Sequence, residues 1–176
     1  VKHAPAPHDA HWQVGVLTCS TAGARGHRAD ESGALVKRLC RRWWKVDVSA
    51  YRVVPDERRL IAATLRNWSA HGVDLIFTTG GTGLSPTDVT PEATRDVMDR
   101  NAPGLVELMR LAGGRRSPVA WLSRAVAGLR GRTLIVNLPG SPRGVRESLT
   151  AIRRIVPHAL ELASGGSGGS RHHGRR

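Results

Sequence analysis

Four short apolar runs constrain this chain more than any other feature: Val14 to Cys19, Val46 to Val54 with partial alternation, Asp74 to Thr78 and Thr133 to Leu138. Runs of this length that are apolar at consecutive positions fit strands buried on both faces, as in parallel sheets. Helical patterns lie between them. Residues 57–71 place Leu60, Ile61, Leu65 and Trp68 on one stripe, and residues 143–162 place Val145, Leu149, Ile152, Val156 and Leu160 at steps of three and four. Pro157 is expected to kink that last helix, because it removes one hydrogen bond of the ladder. Alternating strand and helix predicts a three-layer α/β sandwich around a mostly parallel sheet. In such sheets, ligands bind beyond the carboxyl ends of the strands.

The 176 residues fit one domain, and 40% apolar residues against 4% aromatics imply a core of Val, Leu, Ile and Ala. Residues 12–163 read as the compact unit. The Pro/His-rich stretch 1–11 and the SGGSGGSRHHGRR stretch 164–176 read as flexible tails. The apolar runs are far shorter than the roughly 20 residues of a membrane helix, and the first residues are no secretory signal, so no membrane partner and a cytoplasmic location are expected. Cys19 and Cys40 lack CxxC spacing and read as buried thiols.

Net charge is +13, from 27 Lys and Arg against 14 Asp and Glu. Such a field attracts polyanions in general, including phosphorylated metabolites and nucleic acids. The arginines are scattered apart from a few pairs, which gives no groove-tracking stripe and no expectation of a specific nucleic-acid partner. The histidines form no HExxH, no GxSxG elbow is present, and the tryptophans are dispersed.

The segments that leave the strand ends are more informative. After the third run comes Thr79-Gly80-Gly81-Thr82-Gly83, leading through Asp88 to Thr90-Pro91. Glycines let the backbone turn tightly and present N–H groups to an anion, while Thr90 reads as an N-cap with Pro91 in the first helical turn. After the last run comes Asn137-Leu138-Pro139-Gly140-Ser141-Pro142, with Ser141 in the capping position. A third small-residue loop, Ser20 to Gly26, carries Arg25. Three such loops at three strand ends point to a phosphorylated ligand. Among the carboxylates, Asp56 reads either as a helix N-cap or as a metal-handling group, and Asp88 either as a turn former or as its partner. On the second reading, the two face one crevice and hold hydrated Mg²⁺ against phosphate oxygens.

TTGGTGLSPTDVTPEAT (Thr78 to Thr94), LSRAVAGLRGRTLIVNLPGSPRGVRESL (Leu122 to Leu149), VLTCSTAGARGHRADESG (Val16 to Gly33) and VVPDE (Val53 to Glu57) resemble the MoaB/Mog proteins of molybdenum cofactor biosynthesis, whose domain also forms the amino-terminal part of gephyrin. The resemblance implies a molybdopterin-binding α/β domain, usually a homotrimer, that transfers AMP from Mg-ATP to molybdopterin and releases pyrophosphate. It makes Asp56 and Asp88 the catalytic and Mg²⁺-handling carboxylates. It assigns ligand contacts to Thr18, Ser20, Gly80, Gly81, Thr82, Gly83, Asn137, Pro139, Gly140 and Ser141, with Ser123 and Arg124 beside them. It also implies hand-over of product to a molybdenum-insertion protein.

The chain departs from that pattern in two places. Many relatives carry Ser-Asp after the first strand and Arg-Asp in the third loop, where this chain has Ser20-Thr21 and Thr87-Asp88. Losing the arginine removes one candidate phosphate contact, for which Arg25 or Arg124 could supply the charge. The competing reading is a carrier that binds molybdopterin without turning it over; a basic nucleic-acid module is the more distant one.

Overall fold

In the computed structural model, which describes residues 12–165, six strands form one sheet in the order β2-β1-β3-β6-β5-β4. They are β1 (Val14–Cys19), β2 (Val48–Val54), β3 (Leu75–Thr79), β4 (Arg100–Asn101), β5 (Ala127–Arg130) and β6 (Thr133–Leu138). The first four in spatial order run parallel, and β5 and β4 extend the sheet antiparallel. The sequence-predicted tails fall outside the described residues, except that Ser164 and Gly165 form a turn.

Consecutive apolar positions in the strands feed two different cores. Val14 and Val16 of β1, Leu75 and Phe77 of β3, and Leu134, Val136 and Leu138 of β6 join one cluster with helices α2 (Glu31–Trp44), α5 (Pro103–Gly114), α6 (Pro142–Ile152) and α7 (Val156–Ala163). Leu17, Cys19, Ile76 and Ile135 join the other, with α3 (Arg58–Ala70) and residues of α4 (Thr90–Arg95). This is the expected three-layer sandwich. Burial pushes the thiols of Cys19 and Cys40 up to about 12, which fits two packed, unpaired cysteines.

The single kinked helix expected over 143–162 is instead two helices, α6 and α7, separated at Arg153 to Ile155. Pro157 sits in the first turn of α7, where a missing N–H costs nothing. The Arg153 carbonyl, which Pro157 cannot serve, accepts from the Trp44 indole Nε1 at 3.1 Å. β2 begins two residues later than expected, and β3 ends one residue later, at Thr79.

Registers Thr18↔Thr79, Cys19↔Val54 and Thr79↔Leu138 bring the carboxyl ends of the four parallel strands level. The loops after β1, β2, β3 and β6 therefore open onto one edge of the sheet. Among the described residues, no helix is long and apolar enough to cross a membrane.

Candidate active site

After β1, Ser20 caps the short helix α1 (Thr21–Ala24), accepting from Gly23 N at 3.1 Å. Thr21 then grips Asp56 across the loop after β2. Its N–H and Oγ1 both donate to Asp56 Oδ2, at 2.8 and 2.9 Å, and Asp56 N donates back to Thr21 Oγ1 at 3.1 Å. Asp56 is thus not the N-cap of α3. Glu57 holds that position without a side-chain capping bond.

The glycine turn after β3 has steric causes. Gly80 and Gly81 adopt φ of +87° and +60°, which side-chain-bearing residues rarely populate. A Cβ at Gly80 would strike the Cys19 carbonyl, and one at Gly81 would strike the Thr90 hydroxyl. Thr90 is likewise not the expected N-cap: Val89 stands at the cap of α4, and Thr90 Oγ1 is the one buried side-chain polar atom without a partner among the described residues. The Cys19 thiol lies near that hydroxyl but forms no hydrogen bond with it.

Asp88 closes the turn that opens at Ser85. Its Oδ2 accepts from Ser85 N at 3.0 Å, and its own N donates to Ser85 O at 2.9 Å. Arg124 clasps the whole loop, donating from Nε to Gly83 O at 2.7 Å, to Asp88 O, and to the Glu92 carboxylate. Burial pushes Glu92 upward, but hydrogen bonding and charge from Arg124 outweigh it and hold the carboxyl below its usual value. Arg124 is therefore engaged by the loop and lines neither cavity of the site.

Asn137 is likewise engaged by protein. It is fully buried, accepts from Val126 N at 3.1 Å, and donates to Thr78 Oγ1 and Thr94 Oγ1 at 2.9 Å each. With its amide satisfied by protein, it is a tie behind the glycine turn. Ser141, by contrast, caps α6 as expected, accepting from Gly144 N at 3.1 Å.

Two adjoining cavities lie at this edge. One, of about 590 Å³, is mostly apolar and is lined by Gly81, Thr82, Gly83, Asp88, Ser123, Pro139, Gly140 and Ser141, with Val106, Met109, Val119 and Leu122 beyond. The other, of about 360 Å³, is more polar and is lined by Thr18, Ser20, Asp56, Gly80, Gly81, Asp88, Gly140 and Ser141. The structure thus gathers every expected contact residue at the cavities except Asn137 and Arg124, and both expected carboxylates share the smaller one.

Asp30, in the same cavity, escaped the sequence reading. Its Oδ2 accepts from Thr18 Oγ1 at 2.6 Å and from Tyr51 OH at 2.7 Å, and its Oδ1 accepts from Gly33 N at 2.8 Å. Desolvation, reinforced by Asp30, pushes the Tyr51 phenol up to about 12, so it stays a donor. Ser32, in the first turn of α2, donates to Gly140 O at 2.8 Å and joins the first loop to the last. The spacing from Asp30 to Gly33 is that of a helix cap, which the structure forms, but it carries no sign of these distant partners.

A family model described as "Probable molybdopterin binding domain" matches residues 15–158, the segment that carries this whole strand-end arrangement. The chain belongs to that family. Its relatives are the MoaB/Mog-type proteins of molybdenum cofactor biosynthesis. The chain is 38% identical over 154 residues to the molybdopterin adenylyltransferase of Helicobacter pylori strain J99, covering 86% of this chain and 88% of that protein. It is 37% identical to Dictyostelium discoideum gephyrin over 163 residues, 88% of this chain, but spans only 23% of that longer protein. Among solved structures, the molybdopterin biosynthesis enzyme MoaB of Thermus thermophilus is 54% identical with a TM-score of 0.82, covering 88% of this chain and 97% of that one. The tungsten cofactor synthesizing protein MoaB of Pyrococcus furiosus, 31% identical with a TM-score of 0.80, covers 88% of this chain and 98% of that one.

Proposed function

We propose that this family member is a molybdopterin adenylyltransferase, joining AMP from ATP to the terminal phosphate of molybdopterin with release of pyrophosphate. The observation that carries the reading is the pair of adjoining cavities sharing Gly81, Asp88, Gly140 and Ser141. One apolar and one polar chamber against a common wall suit a flat heterocycle on one side and phosphates on the other. The name of the Helicobacter relative supports the same chemistry.

In the reaction, a molybdopterin phosphate oxygen attacks the α-phosphorus of ATP, and the bond to the β-phosphate oxygen breaks. Such a transfer needs positioning and charge screening more than covalent help. The fixed loops after β1, β3 and β6 hold the phosphates, and the N-terminus of α6, capped by Ser141, adds the positive end of its helix dipole.

The donor set fits Mg²⁺. Among the described residues, Asp56 and Asp88 each keep one carboxylate oxygen without a hydrogen-bond partner, and both line the same polar chamber. Among the described residues, no three acidic, His or Cys side chains converge on one point, which suits an ion held by one or two carboxylates plus substrate oxygens. Bound there, the ion would screen the phosphates while Asp56 and Asp88 orient it. A homotrimer, a cytoplasmic location and hand-over of product to a molybdenum-insertion protein belong to the same proposal. The relatives named molybdenum cofactor biosynthesis bifunctional protein favour the last.

The test is turnover with molybdopterin, Mg²⁺ and ATP, following pyrophosphate and adenylylated pterin. Asp56→Ala and Asp88→Ala are each expected to lower kcat at least about tenfold while molybdopterin still binds. Tight molybdopterin binding without product from the parent protein would make the chain a carrier instead.

A further inference from the structure

Thr21 follows the capping Ser20, and its geometry gives it a task of its own. Resting on the adenylyl-transfer reading, we infer that Thr21 is a positioning residue that locks Asp56 so that a single carboxylate oxygen, Oδ1, serves the metal-phosphate chamber. Three hydrogen bonds join the two residues, and all involve Oδ2 or the backbone of Asp56. The Thr21 hydroxyl is used in both directions: its proton goes to Oδ2, and its oxygen receives the Asp56 N–H. The backbone of Asp56 and the orientation of its carboxylate are thereby fixed together.

Oδ1 has no hydrogen-bond partner among the described residues and lies toward Gly81, where an added Cβ would come within 3.3 Å of it. Gly81 lines both cavities, so the free oxygen of Asp56 lies in the polar chamber beside their common wall. An octahedral ion such as Mg²⁺ takes its carboxylate oxygens singly and keeps several waters. A carboxylate with one oxygen tied back and the other exposed meets that demand without reorganising on binding. Groups that orient a metal-handling side chain typically affect affinity or rate by about 10- to 100-fold when removed.

The fold does not depend on this hydroxyl. Thr21 is only half-buried, at the start of a four-residue helix whose cap is supplied by Ser20. The clamp spans 35 residues of sequence, joining the loop after β1 to the loop after β2, and so acts on the site more than on the core.

The experiment compares the parent protein with Thr21→Val, Thr21→Ala, Thr21→Ser and Asp56→Ala. Mn²⁺ binding to the ATP-loaded protein is read by electron paramagnetic resonance, alongside kcat, KM for molybdopterin and thermal midpoint. Expected for Thr21→Val and Thr21→Ala is a kcat lowered about tenfold and weaker Mn²⁺ binding, with KM for molybdopterin and thermal midpoint near the parent's. Thr21→Ser, which keeps the hydroxyl, restores both. Variants lacking the hydroxyl that match the parent in kcat and Mn²⁺ affinity while Asp56→Ala is impaired would overturn the clamp and leave the adenylyl-transfer reading standing. A parent that binds Mn²⁺ through Asp56 but forms no adenylylated product would overturn the reading, and the Mn²⁺ affinities would then decide the clamp alone. A parent that does neither overturns both.

Discussion

Replacing Asn137 with alanine separates a structural tie from a ligand contact. The substitution orphans the N–H of half-buried Val126, which faces the fully buried Asn137 amide, and removes one donor each from the Thr78 and Thr94 hydroxyls. A buried donor left unpaired costs about 1–3 kcal/mol, and each of the other two lost bonds roughly 0.5–1 kcal/mol. Thr94 Oγ1 keeps its bond to Thr90 O at 2.9 Å, which places its share at the low end. The sum is about 3 kcal/mol, or a thermal midpoint roughly 6–12 °C lower for a domain of this size. Calorimetry or circular dichroism of Asn137→Ala measures it, with molybdopterin affinity determined well below the transition. A midpoint within about 1 °C of the parent's together with weakened molybdopterin binding would refute the reasoning and make Asn137 a ligand contact after all.

Gly81→Ala is expected to cost about 2–4 kcal/mol from its positive φ and its collision with Thr90; adding Thr90→Ala should recover only the collision part, as read from urea midpoints. The depressed carboxyl of Glu92 contributes stability that is complete above the usual glutamate value of 4.5 and is lost as pH falls through its lower folded value. Arg124→Met should therefore flatten the loss of stability that the parent shows below pH 4.5, and parallel acid unfolding curves would contradict this. Cys19 and Cys40 should resist thiol reagents at about pH 8 in the folded protein and react on unfolding, since their thiols stay protonated to about 12; rapid labelling of the native chain would count against the packing described.

Local signals carried much of the site. The run Thr79 to Gly83 and the sequence Pro139 to Ser141 are contiguous, so their turns and the capping role of Ser141 could be read residue by residue. Contacts between distant segments could not. Asn137, polar and next to a glycine turn, looks like a ligand contact until Thr78, Thr94 and Val126 arrive from three other segments to occupy it. Arg124 has the charge for a phosphate, but its partners lie 32 to 41 residues away in the loop it clasps. The antiparallel edge escaped for a different reason: β4 has two residues, and β5 reads Ala-Gly-Leu-Arg, so neither carries a strand pattern of its own.

The wall common to the two cavities also sets a rule for ligand design. Four residues, Gly81, Asp88, Gly140 and Ser141, border both chambers, so a compound anchored in one chamber presents its far end to the other at high effective concentration. Tethering two weak fragments, one flat and apolar and one anionic, should therefore raise affinity by about 10²–10⁴ over either alone, provided the tether is short enough to cross that wall without slack. Lengthening the tether step by step would turn the thickness of the wall into a curve of affinity against linker length.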